Sequence, residues 1–211
     1  MLRKVSLIVV IAVVFLIAPV VLAFDINTYI TKQTVRKALH GYSRSKAHIY
    51  TDRQGNQYKI PAMGVKSDDY VANRCKYGSC EYTWTVDVPT YSGPGSPTGS
   101  KTVTGTGKKI KASDVGTVTF VKTDDGSLQY ITVHKSDGFK EAIQNGDMSA
   151  LEKLNNITGQ FGYYYKAIVK MGTVRNPRTG EVKTVKKVAL KKVKTAEEAT
   201  IEDQTQTGEN Q

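Results

Sequence analysis

Three histidines and two cysteines are the only imidazoles and thiols in this chain, and two adjacent-carboxylate pairs join them as candidates for chemistry. His40, His48 and His134 each stand alone, at an expected helix end, strand start and strand end, where an imidazole reads as a surface residue. Cys75 and Cys80 form a lone C-x4-C pair. A structural zinc site takes about four ligands, and no second Cys or His pair stands at ligand spacing, so no metal is expected. In an oxidising compartment the same pair reads as one disulfide closing a tight loop. Asp68-Asp69 and Asp124-Asp125 fall where turn chemistry accounts for them. Gly105-Thr106-Gly107-Lys108-Lys109 has the composition of a phosphate loop but lacks the upstream glycine and the hydroxyl residue after Lys108. No nucleophile elbow of the G-x-S-x-G type occurs. Asn156-Ile157-Thr158 is a glycosylation sequon, relevant only in a eukaryotic secretory route. These residues predict a protein that is not an enzyme and holds no cofactor.

Charge is the stronger feature. The net charge is +11, and most of it comes from Lys166, Lys170, Arg175, Arg178, Lys183, Lys186, Lys187, Lys191, Lys192 and Lys194, set against the single acid Glu181. Cations concentrated in one segment repel one another, and a polyanion that neutralises them is the direct physical counterpart. Tyr163, Tyr164 and Tyr165 at its base could stack on bases or sugars, or pack on a sheet face.

Arg175-Asn176-Pro177-Arg178-Thr179-Gly180-Glu181 resembles the tip of the β-arm of the bacterial histone-like proteins HU and IHF, and Phe161-Gly162 precedes it at the family's spacing. The resemblance implies Pro177 as a minor-groove wedge, with Arg175, Asn176 and Arg178 beside it. It covers about 20 residues. Gln160, Gly172 and Val174 depart from the family pattern, and sheet is expected where the family has two helices. The same residues also make a common hairpin turn, in which Pro presets φ and Gly takes the positive φ.

The elements that must carry these residues follow from periodicity. Asp25 to His40 reads as a helix capped by Asp25 or Asn27, with Ile26, Tyr29 and Ile30 on one face. His48–Thr51 and Gln57–Ile60 flank a turn-rich hairpin. Glu81 to Val88 alternates cleanly, with Tyr82, Trp84, Val86 and Val88 on one side, and is the best core strand in the chain. Tyr91 to Ser100 reads as a mobile Gly/Pro/Ser loop. Strands follow at Lys101–Thr106 and Thr117–Val121, with Asp124-Asp125-Gly126 turning the second into Leu128–Val133. Ser136 or Asp137 caps a short helix carrying Phe139, Ala142 and Ile143, and a second carries Met148, Leu151 and Leu154. A long hairpin then spans 161–194. Thr195 to Gln211, with five acids, no Lys or Arg and little that is apolar, reads as a disordered tail.

The N-terminus sets the compartment. Arg3 and Lys4 precede an uncharged apolar run from Val5 to Ala23, broken at Pro19, in the three-part layout of a secretory signal with a cleavage site between Ala23 and Phe24. Read through Phe24, the run is about 20 residues, long enough to be kept as a membrane anchor. The expectation is therefore an α+β protein in four parts. Residues 1–23 are signal peptide or anchor, and 24–41 a helix or stalk. Residues 42–194 are a small antiparallel β-rich domain with short helices and the basic hairpin, and 195–211 are the tail. It is expected to be periplasmic, extracellular or anchored in the inner membrane with the domain outside the cytoplasm. There it would bind an acidic protein, anionic lipid or wall polymer in envelope or particle assembly. A membrane-associated nucleic-acid-binding protein of DNA uptake, conjugation or a lipid-containing virus is the alternative.

Overall fold

A computed structural model describes residues 25–40, 43–44, 46–67 and 78–205. The apolar leader, the Ala23–Phe24 cleavage site and Cys75 lie outside the described residues. The fold is α+β, with strands in antiparallel pairing throughout except at the C-terminal end.

The first core forms around the alternating segment, which is β5 (Cys80–Thr90). Tyr82, Trp84, Val86 and Val88 are all buried, and helix α1 (Ile26–Ala38) lays Ile26, Ile30, Val35 and Ala38 into the same cluster. Asp25 caps α1 by accepting from Asn27 N–H and Thr28 N–H. Asn27 has another role: its side chain accepts from Tyr91 N–H at 2.8 Å and donates to Tyr91 C=O at 3.0 Å, replacing a strand partner at the end of β5. The hairpin of β2 (His48–Thr51) and β3 (Gln57–Ile60) adds Tyr58 and Ile60 to this core.

β5 is one member of a six-stranded sheet ordered β1-β4-β5-β6-β7-β8, where β1 is Ser43–Arg44, β4 Gly64–Ser67, β6 Gly99–Ala112, β7 Gly116–Thr123 and β8 Gln129–Lys135. β6 runs well beyond the expected Lys101–Thr106 and absorbs the stretch that resembles a phosphate loop. Its glycines are there for the rings opposite them. Register pairs Gly105 with Trp84 and Gly107 with Tyr82. A Cβ at these positions would lie 2.2 Å from the indole and 2.1 Å from the phenol, so only glycine lets the rings lie flat over the strand. Cys80 is disulfide-bonded.

The loop after β5 is tied rather than mobile. Gly95 donates to Gln57 C=O and accepts from Lys59 N–H, both at 2.8 Å, because the outer edge of β3 offers unpaired peptides. Tyr91 is buried, and its hydroxyl donates to Lys59 C=O at 2.8 Å.

The second core lies on the opposite face of β7 and β8. Val118, Ile131 and Val133 meet helices α2 (Asp137–Gln144) and α3 (Met148–Gly159) through Phe139, Ile143, Leu151 and Leu154. Ser136 caps α2 and Asp147 caps α3. The two short helices expected from these residues thus stand directly before the basic hairpin, and only the comparison that put sheet in place of the family's two helices is corrected. Beyond them lies a three-stranded sheet ordered β10-β9-β11, of β9 (Tyr164–Arg175), β10 (Val182–Val193) and β11 (Ile201–Asp203).

β11 corrects the reading of the tail as disordered over its described part. Ala167 N–H donates to Thr200 C=O and Gln204 N–H to Val169 C=O, each at 2.8 Å, in a parallel pairing with β9. Ala199 and Ile201 pack against the second core. Two apolar side chains and one open strand edge suffice to order a segment whose average composition is that of a solvated chain.

Candidate functional site

The ten cations of the C-terminal segment are carried by β9, β10, the turn between them and the residue after β10. Register sorts them. Residues paired across an antiparallel ladder share a face, and Ala167, Val169 and Val188 are buried in the second core, which fixes the inner face. The outer face then carries Lys166 opposite Lys191, Lys170 opposite Lys187, and Lys183 opposite Val174. Uncharged rungs, Ile168 with Ala189 and Gly172 with Val185, separate them. On β10 the spacing is strict: Lys183, Lys187 and Lys191 recur every fourth residue, about 14 Å apart at ~3.4 Å per residue. Like charges directly opposed across a ladder are destabilising, so this face holds two repulsive rungs that the fold itself does not require.

The other predicted residues are placed differently. Lys186 and Lys192 share the inner-face alternation, and Lys192 Nζ sits 4.1 Å from the centroid of the Tyr163 ring. Tyr163 in turn packs edge-on to Phe120, which stacks on Phe161 at 4.3 Å, so two of the residues expected to meet a ligand fasten the hairpin base to the large sheet. Burial raises the phenol pKa of both Tyr163 and Tyr165. Lys194 follows β10 directly.

The turn is built by Asn176. Its side-chain oxygen accepts from Arg178 N–H at 2.9 Å, and its backbone N–H donates to Glu181 C=O at 2.8 Å, while Gly180 supplies the positive φ of 73°. Asn176 therefore has a structural task, whereas Arg175, Pro177 and Arg178 are exposed at the far end. Met171, Val174 and Val182, also exposed, show that this end of the hairpin projects past the core.

Little of this charge is neutralised within the chain. Lys166 pairs with Glu202 of β11, and Lys183 lies 3.4 Å from Glu181 within the turn region. Thr205 hydroxyl and N–H hold the Asp203 carboxyl below the usual range, with Lys186 adding to the effect. Lys187 Nζ donates to Thr173 C=O at 2.6 Å, a neutral partner. Among the described residues, Lys170, Lys186, Lys187, Lys191, Lys192, Lys194, Arg175 and Arg178 form no ion pair. The acidic strand thus screens only the inner end of the outer face.

Asn155 anchors the base of β9 from α3. Its side chain accepts from Tyr165 N–H at 2.7 Å and donates to Tyr165 C=O at 2.9 Å, the same clamp that Asn27 makes on Tyr91. The sequon residue beside it, Asn156, is on the exposed side of α3.

Among the described residues no group of three His, Cys, Asp or Glu side chains is placed to hold a metal ion, and no helix is long and apolar enough to cross a membrane. Asp124 and Asp125 serve the β7–β8 turn, where Asp125 accepts from Ser127 N–H and hydroxyl. His48 stays apart, but His40 and His134 line one pocket, a meeting that their sequence positions do not reveal. No family model matches the chain, and neither the curated proteins nor the solved structures contain one similar to it.

Proposed function

We propose that this protein is a non-enzymatic extracytoplasmic module, secreted or tethered by its leader, that docks on a polyanion or acidic partner through the outer face of the β9–β10 hairpin. Its setting is envelope or particle assembly. The observation that carries this reading is the outer face itself, with five lysines in alternate rungs and two internal carboxylate partners, Glu202 at Lys166 and Glu181 at Lys183. The Lys170–Lys187 rung, with no carboxylate partner among the described residues, costs stability in the free protein, and a bound polyanion turns that cost into binding free energy.

Five cationic contacts to B-DNA, taken as a probe polyanion, correspond to a slope of roughly −4.5 in log K against log salt, or a loss of about 10² to 10³ in affinity from 50 to 200 mM salt. Titration of the chain with duplex DNA, heparin and anionic vesicles at these two salt concentrations tests the reading. The steepest salt dependence identifies the kind of partner. Binding unaltered when Lys170, Lys183, Lys187 and Lys191 are all changed to Gln would sink the outer face as the site.

The second reading, a membrane-associated nucleic-acid-binding protein that uses the arm tip, is favoured by the exposure of Arg175, Pro177 and Arg178 at the end of the projecting hairpin. It predicts DNA binding weakened by Arg175→Ala with Arg178→Ala. Absence of detectable DNA binding at low salt eliminates it.

A further inference from the structure

A second site lies on the other side of the large sheet, away from the hairpin. Two adjacent rungs cross β6, β7 and β8 on the α1 face: Lys109–Thr119–Thr132 and Lys111–Thr117–His134. Leu39 and His40, just past the end of α1, line the same pocket, which is open on one side and measures about 220 Å³. Its polar lining is Lys109, His40, His134 and the three threonines.

The chemistry of this lining is one-sided. Every ionisable side chain that contributes, apart from the Tyr82 phenol, is a lysine or a histidine, and no carboxylate lines the pocket. Tyr82 is committed elsewhere, its hydroxyl donating to Ala38 C=O at 2.8 Å, which also removes one carbonyl of the α1 C-terminus from competition for donors. Lys109 forms no ion pair among the described residues, while its neighbour Lys108, pointing to the opposite face, pairs with Glu81 at 2.6 Å. Thr119 is only 5% exposed, yet neither it nor Thr117 or Thr132 makes a side-chain hydrogen bond among the described residues. Nor is the Thr119 hydroxyl among the buried polar atoms cut off from solvent, so it opens into the pocket. Three hydroxyls, an ammonium and two exposed imidazoles thus line one small solvent-reached space with no carboxylate among them.

We propose that this pocket binds a small oxoanion, phosphate or sulfate, either free or as the terminal group of a monoester. Lys109 supplies fixed charge and charge-assisted hydrogen bonds. The threonine hydroxyls donate from the floor, and the two imidazoles donate from the rim. The volume suits a tetrahedral ion with a few waters and excludes a folded partner. The site is independent of the hairpin, which contains no histidine.

The test is a titration of the full chain with inorganic phosphate in a phosphate-free buffer, following the three histidine ring signals by NMR. His48 is the internal reference. The expected result is saturable movement of His40 and His134 with one shared midpoint, while His48 stays still. Lys109→Gln should weaken binding at least tenfold, and Thr119→Val, close in shape, several-fold, with near-ultraviolet dichroism of the buried Trp84 unchanged. A parallel titration with glycerol 3-phosphate separates the sources. Tighter binding than inorganic phosphate assigns the site to a larger ester, and equal or weaker binding assigns it to the free ion. Unsaturable movement of all three histidines, no movement, or an unaltered midpoint in Lys109→Gln overturns the proposal.

Discussion

Lys170→Glu should stabilise this protein and impair its binding in one step. Lys170 faces Lys187 directly across the β9–β10 ladder, on the exposed face of the hairpin. Two unit charges about 6 Å apart in water repel by roughly 0.7 kcal/mol, and screening at physiological salt, with a Debye length of about 8 Å, halves that. Exchanging repulsion for attraction doubles the swing, giving about 0.7 kcal/mol at physiological salt, within the range of measured cross-strand charge pairs. For a chain of this size that is a rise in Tm of about 2 °C. Lys170→Gln, which only removes the repulsion, should give about half. Binding moves the other way. One cation is lost and Lys187 is neutralised by its new neighbour, so the slope of log K against log salt should fall by nearly 2 of the roughly 4.5 expected for B-DNA. Thermal unfolding followed by dichroism, paired with salt-dependent titrations on the same samples, reads both quantities. A lowered Tm would refute the register-based electrostatics. An unchanged salt slope with a raised Tm would leave the lysines as a solvated surface without a ligand.

Gly105→Ala places a methyl 2.2 Å from both the Lys122 carbonyl oxygen and the Trp84 ring, so it should cost about 3 kcal/mol, read as a drop of roughly 1.5 M in the urea midpoint. Gly138→Ala, in α2 with open space around it and no positive φ, should instead gain about 0.4–1 kcal/mol. Removal of residues 195–211 uncovers the surface under Ala199 and Ile201 and frees Lys166 from Glu202. The expected outcome is a less stable protein with tighter polyanion binding at low salt, measured by the same titrations. Asp125 has a carboxyl held at about 2 by hydrogen bonds from Thr123 and Ser127. A folded-state pKa below the unfolded value gives stability that is complete above about pH 4 and lost as pH falls through about 2. Acid-unfolding curves of Asp125→Asn should therefore be flatter than wild type across that window.

The local elements were legible where one residue type repeats with a period. Tyr82, Trp84, Val86 and Val88 announce β5, Asp124-Asp125-Gly126 announces the β7–β8 turn, and Ser136 announces the start of α2, because each signal lies within a few residues. What sequence could not give is whatever depends on register between strands. Gly105 and Gly107 look like a ligand loop until Trp84 and Tyr82 are known to lie over them. The lysines look like a uniform ribbon until the ladder separates five onto one face and ties Lys192 to Tyr163. His40 and His134 come together only through the packing of α1 on the sheet. The tail reads as disordered because Ile201 and Ala199 are few in a polar stretch, and the β9 edge that receives them is not a property of the tail.

β10 is an edge strand of its sheet, and among the described residues the pairing groups that point away from β9 are open except where Gln144 Nε2 donates to Lys186 C=O at 3.0 Å. An open edge of twelve residues is a template on which a second molecule could add a strand, and lysines along such an edge keep neighbours apart. Under the proposed docking, the charge that recruits a ligand is also the protein's guard against self-association. Saturating the lysines would lift that guard, so light scattering should rise as polyanion is added in the presence of excess protein and subside when Lys186, whose peptide points away from β9, is replaced by Pro, which cannot extend a ladder. Under that proposal partner capture and colloidal stability rest on the same side chains, and neither can be tuned without moving the other.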